Sequence, residues 1–429
     1  MRSRSQIGDA YAERTSKSQA LMTRAAKSMP GGSTRSFGWH EPYPLVIERG
    51  EGPYLWDVDG NRYVDLVYNG LSLIHGHAFP PVVDALGAVL ARGSAWPGAS
   101  SEQIEFAEAL LKRVKSADLV RFTNTGTEAG MLAVKIARRA TGRPLVLKAW
   151  AGYHGSYDDL EAGLAGQGPI PGRTALADFG SVQSFERALS SFGSEVAAVV
   201  LEPVMYTGVV TPPPPGFLNE VQAMARRHGA LFVLDDCLMF RLAEGGSAEK
   251  FGLDPDITFL GKFIGGGLPV GVVAGKNDVM AHLDPRHQRP MYHGGSFNGN
   301  LLGSVAGNVA LHHLTGDAIA KMDRQAERIQ AALEEKASDL DLPLVVSREG
   351  SVMGIYLESE LPSPRQHPDA GRAGLFHLAC LNHGLFPGSA GEVAMATVIS
   401  NEDVDLVIAG FGAALEDVST TLSSLTQVP

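Results

Sequence analysis

Cysteine is nearly absent. Cys237 and Cys380 are the only two in 429 residues, too few for a disulfide framework and in keeping with a reducing cytoplasm. A basic excess is also missing: the formal net charge is −11 at pH 7, which argues against a nucleic-acid or anionic-membrane surface. No run approaches the apolar length that a membrane span needs. The polar start MRSRSQIGDAYAERTSKSQ, with Arg2 and Arg4 ahead of no apolar stretch, does not read as a signal peptide. The histidines do not group either, since His75, His77, His154 and His293 form no spaced metal set. With 44% hydrophobic and 19% charged residues, the chain is expected to be a cytoplasmic, acidic, globular protein. It is long enough for two or more domains with at least one large core.

What the sequence does have is alternation. Apolar, β-prone runs at Leu119–Phe122, Leu145–Leu147, Val196–Leu201, Leu231–Leu234, Ile257–Leu260 and Val270–Val273 are separated in several places by helical patterns, such as Phe217 to Arg227, ended by Gly229. This predicts an α/β fold with a mostly parallel sheet covered by helices. Ahead of it, residues 1–30 read as an amphipathic helix ending before Pro30. Runs at Leu45–Ile47 and Tyr54–Trp56 then lead, through a turn at Asp59-Gly60, into Tyr63-Val64. The DVDGN of that turn is no calcium loop, because Arg62 and Tyr68 stand where glycine and glutamate are needed.

Beyond about residue 318 the pattern changes. A helix (Asp323–Ala337) is followed by strands Leu342–Val346 and Val352–Leu357 and a Pro-rich loop over 361–368. Helix Ala373–Asn382, strand Ala394–Ile399 and a terminal helix from Glu402 complete the chain. The expected organisation is an N-terminal segment (1–65, helix plus β-hairpin) that packs with a small α+β domain (319–429), and a large ligand-binding domain between them (66–318).

Chemistry concentrates between Leu231 and Pro269. LFVLDDC ends in Asp235 and Asp236, and DITFLGKFIGGGLP ends in Lys262 and a triple glycine. Ligands of open α/β sheets sit beyond the carboxyl ends of the strands, so two strands deliver an acid and an amine to one rim. An amine among apolar residues suits a Schiff-base lysine, because burial keeps part of it neutral and nucleophilic. A buried carboxylate suits pyridoxal 5'-phosphate (PLP), whose pyridinium nitrogen needs an anionic partner.

Other segments fit around that pair. Thr125-Gly126-Thr127 at a strand-to-helix turn offers N–H groups and hydroxyls to a phosphate; alone it would read as an ordinary N-cap. It is not a Walker loop, since Phe263 follows Lys262. Tyr153, in Gly152-Tyr153-His154-Gly155, either stacks on a flat ring or belongs to a structural loop. Glu202 supports the cofactor or merely ends a strand. Ser296, in the loop from His293 to Asn300, donates to a phosphate or is part of an ordinary loop.

In order and spacing, RFTNTGTEAGMLAVKIARRATGR, GYHGSYD, LEPV, FVLDD, DITFLGKFIGGGLPVG and HGGSFNGN give nearly the whole chain a resemblance to a known family. It resembles the class III, fold-type I PLP-dependent aminotransferases, near glutamate-1-semialdehyde aminomutase and the β-phenylalanine (β-amino acid) aminotransferases. The resemblance implies that Lys262 forms the Schiff base and then acts as general acid–base for the proton shift. Asp235 would pair with the pyridine nitrogen, Gly126 and Thr127 would hold the phosphate with Thr125 alongside, and Tyr153 would stack on the ring. Ser296, where the family usually has threonine, would reach the phosphate of the neighbouring subunit, implying a homodimer with both sites at the interface. The implied reaction moves an amino group from a small-molecule donor onto PLP, giving pyridoxamine phosphate, and then onto a keto or aldehyde acceptor. An intramolecular aminomutase would use the same residues, but the family's mutase has tryptophan where Gly70 stands.

Departures from the family bear on substrate. Its Asp-Glu-Val segment is Asp235-Asp236-Cys237 here, and Arg241-Leu242-Ala243 matches the β-amino acid branch. Ser33-Thr34-Arg35-Ser36 aligns with that branch's Asn-Ser-Arg-Ser, whose arginine binds a substrate carboxylate. Arg35 is therefore the candidate clamp, against the alternative of a solvent-facing arginine. The branch's second carboxylate-binding arginine has no counterpart in Pro387–Gly391; either the usual α-carboxylate is not bound in the usual way, or Arg365 or Arg372 compensates. The implied donor is a β-amino acid, a larger amino-ketone or a carboxylate-poor amine.

Overall fold

Thr15 interrupts the N-terminal amphipathic stretch, so two helices form, Gln6–Arg14 and Ser16–Ala25, where one was expected. Its hydroxyl donates to Tyr11 O at 2.7 Å, the kind of local side-chain bond that competes with a continuing helix. The computed structural model describes residues 6–36, 38–164, 166–366 and 368–426; Arg2 and Arg4 lie outside the described residues. Strands β1 (Ile47–Glu51), β2 (Tyr54–Asp57) and β3 (Arg62–Asp65) follow as an antiparallel meander. At the β2–β3 turn, Asp57 Oδ1 accepts from the N–H groups of Asp59 and Asn61 at 3.0 and 2.8 Å, so the carboxylate builds the turn itself.

The next seven strands are β4 (Leu119–Thr123), β5 (Leu145–Ala149), β6 (Thr174–Ala177), β7 (Val196–Leu201), β8 (Leu231–Asp235), β9 (Ile257–Leu260) and β10 (Gly271–Gly275). They form one sheet in the order β4-β10-β9-β8-β7-β5-β6. Pairing is parallel from β6 through β9, and β10 alone runs against both neighbours. The near-continuous apolar runs follow from burial on both faces. Val146, Ala198, Val200 and Val233 meet helix Gly126–Thr141 on one side. Leu145, Leu147, Val199 and Phe232 meet helices Val182–Phe192 and Phe217–Arg227 on the other. Strand β6, sequence TALA, is short and small-residued, and the sequence pattern does not reveal it.

The C-terminal third contains β11 (Val345–Glu349), β12 (Val352–Tyr356), β13 (Leu385–Phe386) and β14 (Glu392–Ala394). β11, β12 and β14 form an antiparallel sheet, whereas β13 pairs in parallel with β3 and so extends the N-terminal meander. Two expected strands are displaced. Leu342 closes the preceding helix by donating to Ala337 O at 3.0 Å, and β11 starts at Val345. The run Ala394–Ile399 leaves the sheet after Ala394, because Met395 and Thr397 bond instead to Ser351 O and Ile74 O. Helix Asn401–Thr426 corrects a further expectation: with mean hydropathy 1.2 over residues 401–423, it is long and apolar enough to cross a membrane. Its Val404, Val407, Phe411, Ala414, Leu415 and Val418 are buried in the core, at the 3–4-residue spacing of a helix packed on one side.

Candidate active site

Five segments converge where strands end. Thr125-Gly126-Thr127 follows β4, Tyr153 and His154 follow β5, Glu202 follows β7, Asp235 closes β8, and Lys262 stands two residues beyond β9. All five strands point the same way, so the segments meet at one rim, where such sheets hold ligands. Strands β8 and β9 are direct neighbours, with Asp235 opposite Phe259. Thr125, Gly126, Thr127, Tyr153, Glu202, Asp235 and Lys262 line a single cavity of about 150 Å³, together with His154, Gly155, Cys237 and Met239.

The buried polar groups at this rim hold one another. Asp235 Oδ2 lies 2.8 Å from His154 Nδ1, and Oδ1 accepts from Cys237 N at 3.1 Å. Because a carboxylate only accepts, Nδ1 carries the imidazole proton. This leaves Nε2 as a buried acceptor without a partner among the described residues. Burial holds His154 below the ordinary imidazole range. Glu202 Oε1 accepts from Tyr153 N at 3.0 Å, and burial, then the charge of Asp235, push the Glu202 carboxyl up to about 8. Beneath the loop, the fully buried Lys148 is lowered by desolvation to about 8. Cys237 is packed here, and burial raises its thiol well above its usual value, as fits an inert small apolar side chain.

The backbone is shaped to the same end. Thr125 caps helix Gly126–Thr141, its Oγ1 accepting from Glu128 N at 3.1 Å. The N-cap reading and an anion site are compatible, since the remaining first-turn N–H groups still point outward. Gly126 and Gly261 approach closely: a Cβ on Gly261 would lie 3.2 Å from Gly126 Cα, and one on Gly126 would lie 3.1 Å from Cys237 Sγ. Lys262 itself has φ of 57°. That left-handed conformation costs a non-glycine residue on the order of 1–3 kcal/mol and clusters at functional sites.

Residues 37–165 and 174–415 match the aminotransferase class-III family. Glutamate-1-semialdehyde 2,1-aminomutase of Myxococcus xanthus is 34% identical over 427 residues, covering 94% of this chain and 99% of that protein. The chain belongs to the class III aminotransferases. Among solved structures, an omega-transaminase from Sphaerobacter thermophilus superposes with a TM-score of 0.91 at 33% identity, covering 96% of this chain and 100% of that one. A β-phenylalanine aminotransferase from Variovorax paradoxus follows at 0.89 and 30%, covering 95% and 96%. The fold is therefore that of fold-type I PLP transferases, and the protein is a PLP-dependent aminotransferase.

The residues at the rim fit the cofactor PLP. The N-terminus of helix Gly126–Thr141, a buried carboxylate and a lysine line one cavity, and Tyr153 borders it. Gly155 clears space that a side chain would fill, its Cβ position lying 2.6 Å from Thr127 Cα. Among the described residues no three His, Cys, Asp or Glu side chains cluster to hold a metal ion.

Two of the aminotransferase's expected site residues stand elsewhere. Ser296 lines a separate groove with Trp96, Gln103 and Asn298. Arg35 donates to Asn69 Oδ1 at 2.8 Å and borders a second cavity of about 500 Å³, whose wall includes Pro387, Gly388 and Ser389 as well as His40, His77 and His377. Residues 68–71, which supply Asn69 and Gly70 to that wall, all have positive φ (48°, 53°, 65° and 65°). Neither Arg365 nor Arg372 takes the place of the missing arginine. Arg365 stacks 4.2 Å over Trp150 and pairs with Asp178, and Arg372 is engaged by Leu357 O and Glu358. Two residues of this region, His154 as the partner of Asp235 and Lys148, are not among those that the sequence pattern singles out. A lysine inside an apolar strand was the available signal for the second; for the first there was none beyond its place beside Tyr153.

Proposed function

We propose that this protein is a transaminase working on a non-standard amine, with β-amino acids as the leading donor class. The observation that carries the reading is the convergence of Lys262, Asp235 and the Gly126–Thr141 helix N-terminus on one cavity. PLP bound there supplies an electrophilic carbonyl carbon and an electron-withdrawing ring. Lys262 is the residue proposed to anchor it covalently and to carry the proton at Nζ between the two carbons that exchange it. Asp235 is proposed as the anion at the ring nitrogen, held in orientation by His154. Gly126 and Thr127 would take the phosphate on backbone N–H groups, with the dipole of a helix more than four turns long adding to the attraction. Glu202 would fix Tyr153 against the ring through the Tyr153 N–H.

Arg35 is the proposed substrate-carboxylate residue. Its cavity contains the residue 387–389 loop, which is the support for reading both as one substrate pocket. Ser296 lies outside its own chain's cofactor cavity, which fits a role across a homodimer interface. The reaction is proposed to run in the cytoplasm. The relative named as a glutamate-1-semialdehyde aminomutase favours a second reading, an intramolecular amino transfer on one substrate.

Absorbance of the purified holoenzyme separates these readings. Titration with β-amino acids, α-amino acids and simple amines should bleach the visible cofactor band with β-amino acids foremost. Without added keto acid a transaminase stalls after one half-turnover, whereas a mutase converts its substrate completely. Lys262→Ala protein should show no bleaching and no fixation of cofactor by borohydride. Fixation in that variant would remove Lys262 from its role.

A further inference from the structure

Lys148 lies at the end of β5 with its side chain fully buried. Its ammonium donates to two backbone carbonyls, Gly152 O at 2.7 Å and Ala162 O. These acceptors bracket the segment that carries Tyr153, His154 and Gly155. Just before it, Ala151 is held at φ of 61° and its N–H donates to Gly163 O at 3.1 Å. From the other side, Glu202 holds the Tyr153 N–H. Removing an ammonium from water costs several kcal/mol even after relaxation, and an apolar side chain would fill the space without that cost. Lys148 lines neither the cofactor cavity nor the Arg35 cavity, so it acts from outside both, through the loop it ties down and through its charge beside Glu202 and His154.

We propose that Lys148 is a positioning residue for the cofactor. By tying together the two ends of the Gly152–Ala162 segment, it sets Tyr153 at the face of the ring and His154 against Asp235. Without the ammonium, two buried carbonyls lose their partner and the loop relaxes, while every group that touches PLP is still present.

The test is Lys148→Met, which keeps the unbranched stem, ends one atom short of the ammonium and removes the charge. Three properties are read: PLP affinity of the apoenzyme, the visible circular dichroism of bound PLP, and hydrogen exchange of backbone amides across the protein. The expected result is PLP bound about tenfold more weakly or worse, corresponding to one charge-assisted hydrogen bond. Visible dichroism should shrink, and exchange should accelerate over residues 152–162 with the rest of the sheet unchanged. Wild-type affinity and dichroism would overturn the proposal. So would PLP loss that only tracks faster exchange throughout the sheet and a lower melting midpoint of the apoenzyme, since that marks a structural role. If Lys148→Met yields no soluble protein, Lys148→Leu, which likewise has no donor and is at home in a buried strand, is read by the same measurements with the same two outcomes.

Discussion

His154 Nδ1 stands 2.8 Å from Asp235 Oδ2, with the imidazole wholly out of solvent and the carboxylate side chain 6% exposed. Phe259, on the strand beside Asp235, meets the imidazole edge to face, with 6.4 Å between ring centroids, so neither partner is free to turn away. His154→Ala would leave a buried carboxylate oxygen without its donor, a loss of about 1–3 kcal/mol. PLP affinity of the apoenzyme should therefore fall by about 10- to 100-fold, with the rate of the first half-reaction falling in step. Unchanged affinity would show that Asp235 is oriented without the histidine.

Two glycines at the rim make a graded pair. At Gly126 an added methyl would sit 3.1 Å from Cys237 Sγ, a contact that a small shift relieves. At Gly155 it would sit 2.6 Å from Thr127 Cα, at a φ of +114° that side chains rarely adopt. Gly126→Ala should weaken PLP binding modestly, and Gly126→Ala with Cys237→Ala should restore it. Gly155→Ala should abolish binding, and no cysteine substitution should rescue it. Fluorescence titration with PLP of the apoenzymes of the two single variants, and of each combined with Cys237→Ala, reads both outcomes.

How much of this was legible follows from what kind of signal each feature leaves. Strand ends such as Asp235, Glu202 and Lys262 could be placed on one rim because apolar runs stop abruptly there and parallel sheets bind ligands at their carboxyl ends. The hydrogen bond between His154 and Asp235 spans 81 positions in sequence, and no local pattern encodes it. The positive φ of Lys262 is equally silent, because tertiary packing imposes it on a residue that would not choose it. Ala394–Ile399 has an apolar strand pattern but is buried by bonds to Ser351 and Ile74. Helix Gly126–Thr141, by contrast, begins where Thr125-Gly126-Thr127 marks a strand-to-helix turn in the sequence, with Thr125 as its cap.

Arg35 offers a test of substrate that leaves the cofactor alone. Arg35 is exposed at the second cavity, where its guanidinium donates to Asn69. Nearby, His377 is 3% exposed and its ring lies 4.5 Å from that of His40. Arg35→Gln should raise KM for β-amino acid donors by about tenfold or more, consistent with losing a paired carboxylate contact. KM for a simple amine and the cofactor spectrum should stay as they are. An equal loss for both donor classes would show that Arg35 acts on the fold and not on the carboxylate.

Asp236 provides the pH dependence. Next to Asp235, it is 1% exposed; Oδ2 accepts from Ser247 N at 2.9 Å, and Oδ1 has no hydrogen-bond partner among the described residues. Burial, with a smaller contribution from the charge of Asp235, raises its carboxyl from 3.8 to about 7. The folded chain therefore holds a proton that the unfolded chain releases between about pH 4 and pH 7. In that window the unfolded state binds fewer protons, so the contribution of this group to stability falls as pH rises. It is fully present below the unfolded pKa and lost as pH passes the folded value. Asp236→Asn removes the proton without changing the shape, so the apoenzyme melting midpoint of the variant should decline less from pH 5 to pH 7.5 than that of the wild type. The gap should be widest at the upper end, where wild-type Asp236 must ionise inside the protein. Parallel curves for the two proteins would mean that Asp236 is already ionised in the fold and that its buried Oδ1 is solvated by ordered water.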